Sequence, residues 1–353
     1  MTTTVTVCVP LSLDPTAVIE AAARDAGHQV SVQYRPDLLP PQRFVSDHRG
    51  VDGFVRAAAG EREWQRLLAA TSIAFGIPGD DPAGLARLVG VAPGLRWVQG
   101  TAAGAGEQVG AAGLAPGVLE RLQVTSAAGV HAVPLAEFAI FGLLALAKDV
   151  DRLNEANAAR EWRPRWPMRL LAGSRVVIVG LGGIGRQTAL LASAFGATVI
   201  GVRRTVEGEL PAGVSRVVAL DKLAEILPDA DSVIVTLPGT DQTRGLFDSA
   251  LLSLLPARAT LVNVGRGSVI DTAALVAALD AGVLRGAVLD VADVEPLPSS
   301  SPLWNRPNVI ISPHTAAMTI DEDDRLTALF ADNLGRLLGG RPLRNLVDIT
   351  TGY

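Results

Sequence analysis

The sequence predicts an α/β chain of two domains, each built on a parallel sheet. Three observations carry this. The chain has 353 residues, too many for one typical domain and enough for two separate cores. Short β-branched runs alternate with helix-like stretches along most of its length. Val176 to Arg204 reads VVIVGLGGIGRQTALLASAFGATVIGVRR, which is strand, glycine turn, helix, strand.

The glycine stretch divides its work among its residues. Gly180 permits the turn, Gly182 lets backbone N–H groups approach a pyrophosphate, and Gly185 allows the helix to pack closely on the strand. Gly183 and Ile184 complete the same phosphate-binding turn, at a helix start whose free amides and dipole favour anions. In this setting the glycines predict a Rossmann-type doubly wound sheet that binds a dinucleotide. FAD is the rival ligand, but it usually also wants an acid after the second strand, and none is there.

From residue 1 to about 125 the pattern alternates. Strands are expected at Val5–Val9, Val30–Val32, Ile73–Phe75, Arg96–Val98 and Leu122–Val124, with helices at Pro15–Ala26, Glu61–Ala70 and Pro82–Val89. Asp14 and Asp81 read as N-caps before a proline at the first helical position. This predicts a smaller α/β domain with a parallel sheet, expected to be a flavodoxin-like substrate domain. Residues 35–55 fit no regular element. The loop VQGTAAGAGEQVG after Trp97 is either a flexible connector or a place where bare amides meet a small anion.

Val133–Lys148 is a long apolar helix, and Asp151–Trp166 a polar linker. Further strands are expected at 233–237, 260–264, 286–289 and 309–311, with helices at Ser249–Leu255 and Thr272–Ala281. The last helix, Asp323–Leu338, has no strand after it and is expected to return to the first domain. The substrate domain is then discontinuous, 1–130 with 316–353, around a dinucleotide domain at 131–315, with a cleft between them.

Composition narrows the partners. Hydrophobic content of 48% and a mean hydropathy of +0.31 describe a well-packed globule. A net charge of −5 without a basic tail argues against nucleic acid. Cys8 is the sole cysteine, which excludes an internal disulfide, and four scattered histidines form no zinc-type cluster, so no metal is expected. The N-terminus lacks the positive region of a signal peptide. Ala132–Ala147 carries Glu137 and is short for a membrane span, so a cytoplasmic protein without membrane partners is expected.

Three polar residues follow three successive expected strands: Arg266 after LVNVG, Glu295 after GAVLD and His314 after VIISP. Ligands of open α/β sheets bind at the carboxyl ends of strands, so all three should face the dinucleotide. Taken singly, each has a plain reading as a surface or loop residue; their shared position favours chemistry. A histidine donates a proton near neutral pH, a neighbouring carboxylate orients it, and an arginine holds a carboxylate bidentately while polarising a carbonyl. With a reduced nicotinamide, that set reduces a 2-oxo acid to a 2-hydroxy acid.

The sequences VVIVGLGGIG, LVNVGRGSVID, AVLDVADVEPLP and LWNRPNVIISPHTA, in this order, resemble the D-isomer-specific 2-hydroxyacid dehydrogenase family over roughly residues 95–335. The resemblance implies His314 as acid/base, Glu295 as its partner and Arg266 as ligand of the substrate carboxylate and carbonyl. It implies that Asp290 binds the nicotinamide carboxamide, that Leu237, Pro238 and Thr243 run along the adenosine side with Val264 nearby, and that Ala103 and Gly104 offer amides to the substrate. It also implies a homodimer supported by the helix Val133–Lys148. The additional C-terminal domain of many phosphoglycerate dehydrogenases is not expected here, which points to a glyoxylate/hydroxypyruvate reductase type; a nucleotide-sensing co-repressor of the same fold is the other class. The family's usual acid after the second strand is replaced by Arg203 and Arg204, 18 residues and more beyond Gly185. An acid about 20 residues on binds the ribose 2′-OH of NAD, whereas arginines pair with a 2′-phosphate, so NADP is the expected cofactor, with NAD as the alternative.

Overall fold

The computed structural model describes residues 3–348. They form two compact units, one of residues 3–131 with 318–348 and one of residues 132–317.

The first unit holds five parallel strands: β1 (Thr3–Val7), β2 (Val30–Gln33), β3 (Ile73–Phe75), β4 (Trp97–Gln99) and β5 (Gln123–Thr125), in the order β2-β1-β3-β4-β5. The helix Glu322–Leu338 belongs to this unit, and its Phe330 ring stacks between Phe75 at 4.6 Å and Trp97 at 4.9 Å. Burying such a ring is worth several kcal/mol, so one aromatic sandwich fastens the end of the chain to its beginning. Cys8 lies just past β1 and is fully desolvated, which pushes its thiol far up and leaves it inert.

Local differences from the sequence reading have local causes. Pro15 takes the N-cap position and the first helix begins at Thr16, with Asp14 accepting the Thr16 N–H at 2.9 Å; Asp81 does cap its helix, through Gly84 N–H. The small-residue loop contains a short helix, Ala105–Ala111, whose Ala and Gly residues carry no apolar period. Residues 35–55 lack long elements but are tied down. Asp47 accepts from Arg43 and from Gly50 N–H, which holds its carboxyl down at about 2.

The second unit is a seven-stranded parallel sheet. Its strands are β6 (Arg175–Val179), β7 (Thr198–Arg203), β8 (Arg216–Ala219), β9 (Ser232–Val235), β10 (Thr260–Asn263), β11 (Gly286–Leu289) and β12 (Val309–Ile311), ordered β12-β11-β10-β9-β6-β7-β8. The chain runs outward from β6 to β8 and restarts on the other side at β9, so the switch point lies between β6 and β9. β8 was not expected, because an edge strand of four residues with a polar start gives almost no periodic signal. The helix Ala132–Ala147 packs tightly on the sheet, and a Cβ on Gly142 would stand 3.0 Å from Val288. The expected linker instead begins with a helix, Val150–Ala159, bounded by Asp149 and Arg160 in left-handed conformations. Among the described residues no helix is long and apolar enough to cross a membrane.

Candidate active site

The glycine turn follows β6 at the switch point. Gly180 has φ of 107°, and a Cβ there would come within 2.7 Å of Thr236 Oγ1, which itself donates to Gly180 O at 2.8 Å. A Cβ on Gly185 would lie 1.9 Å from that same carbonyl oxygen, so only glycine lets the helix approach the strand. At Gly182 a Cβ would meet nothing within 4 Å. Gly182 and Gly183 are exposed, Ile184 is half-buried, and the helix Gly183–Ala194 starts without a side-chain cap. Open amides over open space make an anion cradle.

Three loops leave the carboxyl ends of the adjacent strands β10, β11 and β12. After β10, the buried Asn263 accepts Gly265 N–H and donates to Arg266 O, both at 3.0 Å, which sets the turn that presents Arg266. The Arg266 guanidinium donates from Nη1 to Gly265 O at 3.0 Å, and its stem passes Gly239, where a Cβ would stand 3.3 Å away. After β11, Glu295 Oε1 accepts Ala292 N–H at 2.9 Å while Oε2 lies 2.8 Å from His314 Nδ1. After β12, His314 takes the left-handed φ of 55°, which aims its N–H at Asp290 O, 2.9 Å away. Its side chain remains 49% exposed, open to a reactant.

Asp290, 1% exposed, organises that last loop. Its Oδ1 accepts from Ser312 Oγ at 2.6 Å, Thr315 N–H at 3.1 Å and Ala316 N–H at 3.0 Å. After β9, Leu237 is half-buried and Pro238 exposed; buried Thr243 closes this loop by donating to Pro238 O at 2.6 Å and accepting Thr240 N–H at 2.8 Å. Val264 is buried beneath, its N–H on Val235 O. Ala103 and Gly104 belong to the first unit, in the turn before Ala105, with Ala103 exposed.

This arrangement has known counterparts. A family model described as D-isomer specific 2-hydroxyacid dehydrogenase, NAD binding domain, matches residues 140–316, half of the chain. The chain belongs to the D-isomer specific 2-hydroxyacid dehydrogenase family. A glyoxylate reductase of Aeropyrum pernix is 35% identical over 239 residues, 64% of this chain and 70% of that one. A D-isomer specific 2-hydroxyacid dehydrogenase of Xanthobacter autotrophicus Py2, solved in complex with NADPH and MES, superposes with a TM-score of 0.74 at 29% identity over 100% of both chains. An NADPH-dependent glyoxylate/hydroxypyruvate reductase of Sinorhizobium meliloti, solved with NADP and sulfate, gives 0.72 at 26% identity, again over 100% of both chains.

In this family member the donor set fits a nicotinamide dinucleotide: the uncapped helix start and the space over Gly182 suit its pyrophosphate. Arg203 and Arg204 stand at the end of β7 but differ. Arg203 Nη2 donates to the Val206 and Glu207 carbonyls at 3.2 and 2.9 Å, and so shapes the following loop, while its buried Nε has no hydrogen-bond partner. The exposed Arg204 guanidinium makes no hydrogen bond or ion pair among the described residues. Sequence reasoning passed over Asn263 and Thr236. Their signal was visible, a single polar residue at the carboxyl end of each of two apolar strands.

Proposed function

We propose that this dehydrogenase reduces a small 2-oxo acid of the glyoxylate or hydroxypyruvate kind to the D-2-hydroxy acid, with NADPH preferred over NADH. The observation that carries the reading is the 2.8 Å Glu295–His314 pair, on a loop beside that of Arg266, at the sheet edge that bears the glycine turn. The dinucleotide, when bound, supplies the hydride. His314 gives its proton to the substrate carbonyl oxygen as that oxygen becomes a hydroxyl; Glu295 holds Nδ1–H, so Nε2 is the donating atom. Arg266 grips the substrate carboxylate with two parallel N–H donors and polarises the carbonyl. Ala103 and Gly104 are proposed as further backbone donors to the substrate. Asp290 keeps its proposed role toward the nicotinamide carboxamide while it anchors the His314 loop. The similarity to reductases of glyoxylate and hydroxypyruvate supports the substrate class.

The cofactor preference rests on Arg204, unpaired at the strand end, with Arg203 bracing the loop beside it. Glu207 is in that loop, its carbonyl occupied by Arg203. The 2′-phosphate lies far from the reacting carbon, so the preference should appear mostly in KM. Steady-state kcat/KM with NADPH and NADH tests it: wild type should favour NADPH, and Arg204→Asp should reverse or abolish that by like-charge repulsion. A wild type that favours NADH contradicts the assignment. We also infer a homodimer through the exposed apolar face formed by Phe141, Leu144, Leu191 and Phe195. Phe141→Asp should halve the mass measured by light scattering; an unchanged mass, or a monomeric wild type, contradicts it.

A further inference from the structure

The amino ends of β6, β9 and β10 open on a second feature of the dinucleotide unit, at the edge of the sheet opposite the glycine turn. A cavity of about 310 Å³ lies there. Three arginines line it, Arg169, Arg258 and Arg285, against one carboxylate, Asp231. Five residues of β6 separate it from the turn, about 16 Å at the rise of an extended strand, so it is not part of the dinucleotide cradle.

The charges around this cavity are unevenly matched. Arg258 Nε donates to Asp231 Oδ1 at 2.6 Å, and the other oxygen of Asp231 accepts Arg175 N–H at 2.8 Å. Arg285 is used by Leu146 O and by Asp149. Arg169 contributes its backbone, with N–H on Ala147 O and its carbonyl accepting from Lys148 Nζ, but its guanidinium makes no hydrogen bond or ion pair among the described residues. Two carboxylates therefore face three guanidiniums, and the exposed Arg169, whose charge acts on Asp231 without a hydrogen bond to it, is left open to a ligand. Leu143, Ala147, Leu170 and Leu171 also line the cavity, and of these Leu170 is exposed. Excess positive charge from planar, two-donor groups favours an oxyanion such as a carboxylate or phosphate, and the apolar lining beside it favours an organic one. An inorganic oxyanion would meet the charge and leave the leucine lining uncovered.

We propose that this cavity binds a short-chain dicarboxylate, at a site separate from the one that does the chemistry. The probe is succinate, titrated calorimetrically into the enzyme with NADP saturating and ionic strength held with sodium chloride. The proposal expects saturable binding in wild type, retained in Arg266→Ala, which removes the proposed active-site carboxylate ligand. It expects binding about 10- to 100-fold weaker in Arg169→Ala, as for a lost charge-assisted hydrogen bond, with KM for NADPH unchanged. Equal binding in Arg169→Ala, loss of binding in Arg266→Ala, or inorganic phosphate binding as tightly as succinate would each overturn it.

Discussion

His314 is held in place by contacts on three sides: its ring on Glu295, its N–H on Asp290 O, and its loop on Asp290 Oδ1. A left-handed φ on a non-glycine residue costs about 1–3 kcal/mol, and the surrounding bonds are what sustain it. Replacing the ring alone leaves that scaffold standing, so His314→Ala should fold normally and lose about 10²- to 10⁴-fold in kcat for reduction. Steady-state rates beside a circular dichroism spectrum check this, and a rate within a few-fold of wild type removes His314 from the mechanism. Arg266→Lys should be nearly as damaging, with the loss in substrate kcat/KM and little change in dinucleotide affinity, because a point charge cannot replace a planar fork. Equal losses in both would point instead to collapse of the turn that Asn263 sets. The positions of these residues after strands could be read in the sequence, since three polar groups each follow an apolar run. What Asp290 and Asn263 do for the loops could not, because Asp290 reaches donors 22 to 26 residues away through space.

The glycine turn shows how far an element can be read from residue type alone. Its spacing announced the turn and the close helix, and the 1.9 Å approach of a Cβ on Gly185 to Gly180 O gives that spacing its physical reason. Gly185→Ala should therefore force the helix off the strand, with about 1–3 kcal/mol lost in urea unfolding and weaker NADPH binding by fluorescence. Full stability and unchanged affinity would mean that the helix is not held as described. The long periodic or β-branched elements were legible for the same kind of reason, a strong local pattern. β8, Ala105–Ala111 and Val150–Ala159 were not: an edge strand, a run of small residues and a polar helix bury too little apolar surface to leave a pattern.

At the scale of the whole molecule, the first unit joins the two ends of the chain, and a buried ion pair ties them. His48 Nε2 lies 2.8 Å from Asp323 Oδ1, and Asp323 Oδ2 accepts Ser12 N–H at 2.7 Å. Burial alone would lower the His48 imidazole, but the hydrogen bond and charge of Asp323, with Glu322 and Asp80 adding, hold it above its ordinary value. Burial alone would raise Asp323, but His48 and Ser12 hold it below the usual carboxylate range. A raised histidine contributes fully below its unfolded value of about 6.5 and loses that as pH rises through the folded one; a lowered carboxylate contributes fully above about 3.9 and loses that as pH falls. The pair thus stabilises most between about pH 4 and 6.5. Wild type should exceed His48→Gln by a larger unfolding free energy near pH 5.5 than near pH 8.5, roughly up to 3–5 kcal/mol at the lower value. A difference that grows with pH contradicts the pairing.

The central claim, that His314, Glu295 and Arg266 reduce a small 2-oxo acid at the dinucleotide end of the sheet, is tested most directly by NADPH absorbance followed against a panel of such acids. Glyoxylate or hydroxypyruvate should be turned over, with a chirally pure D-product from hydroxypyruvate, and His314→Ala should abolish most of that rate. No oxidation of NADPH or NADH by any acid of the panel would contradict the account and leave a protein that only binds the nucleotide.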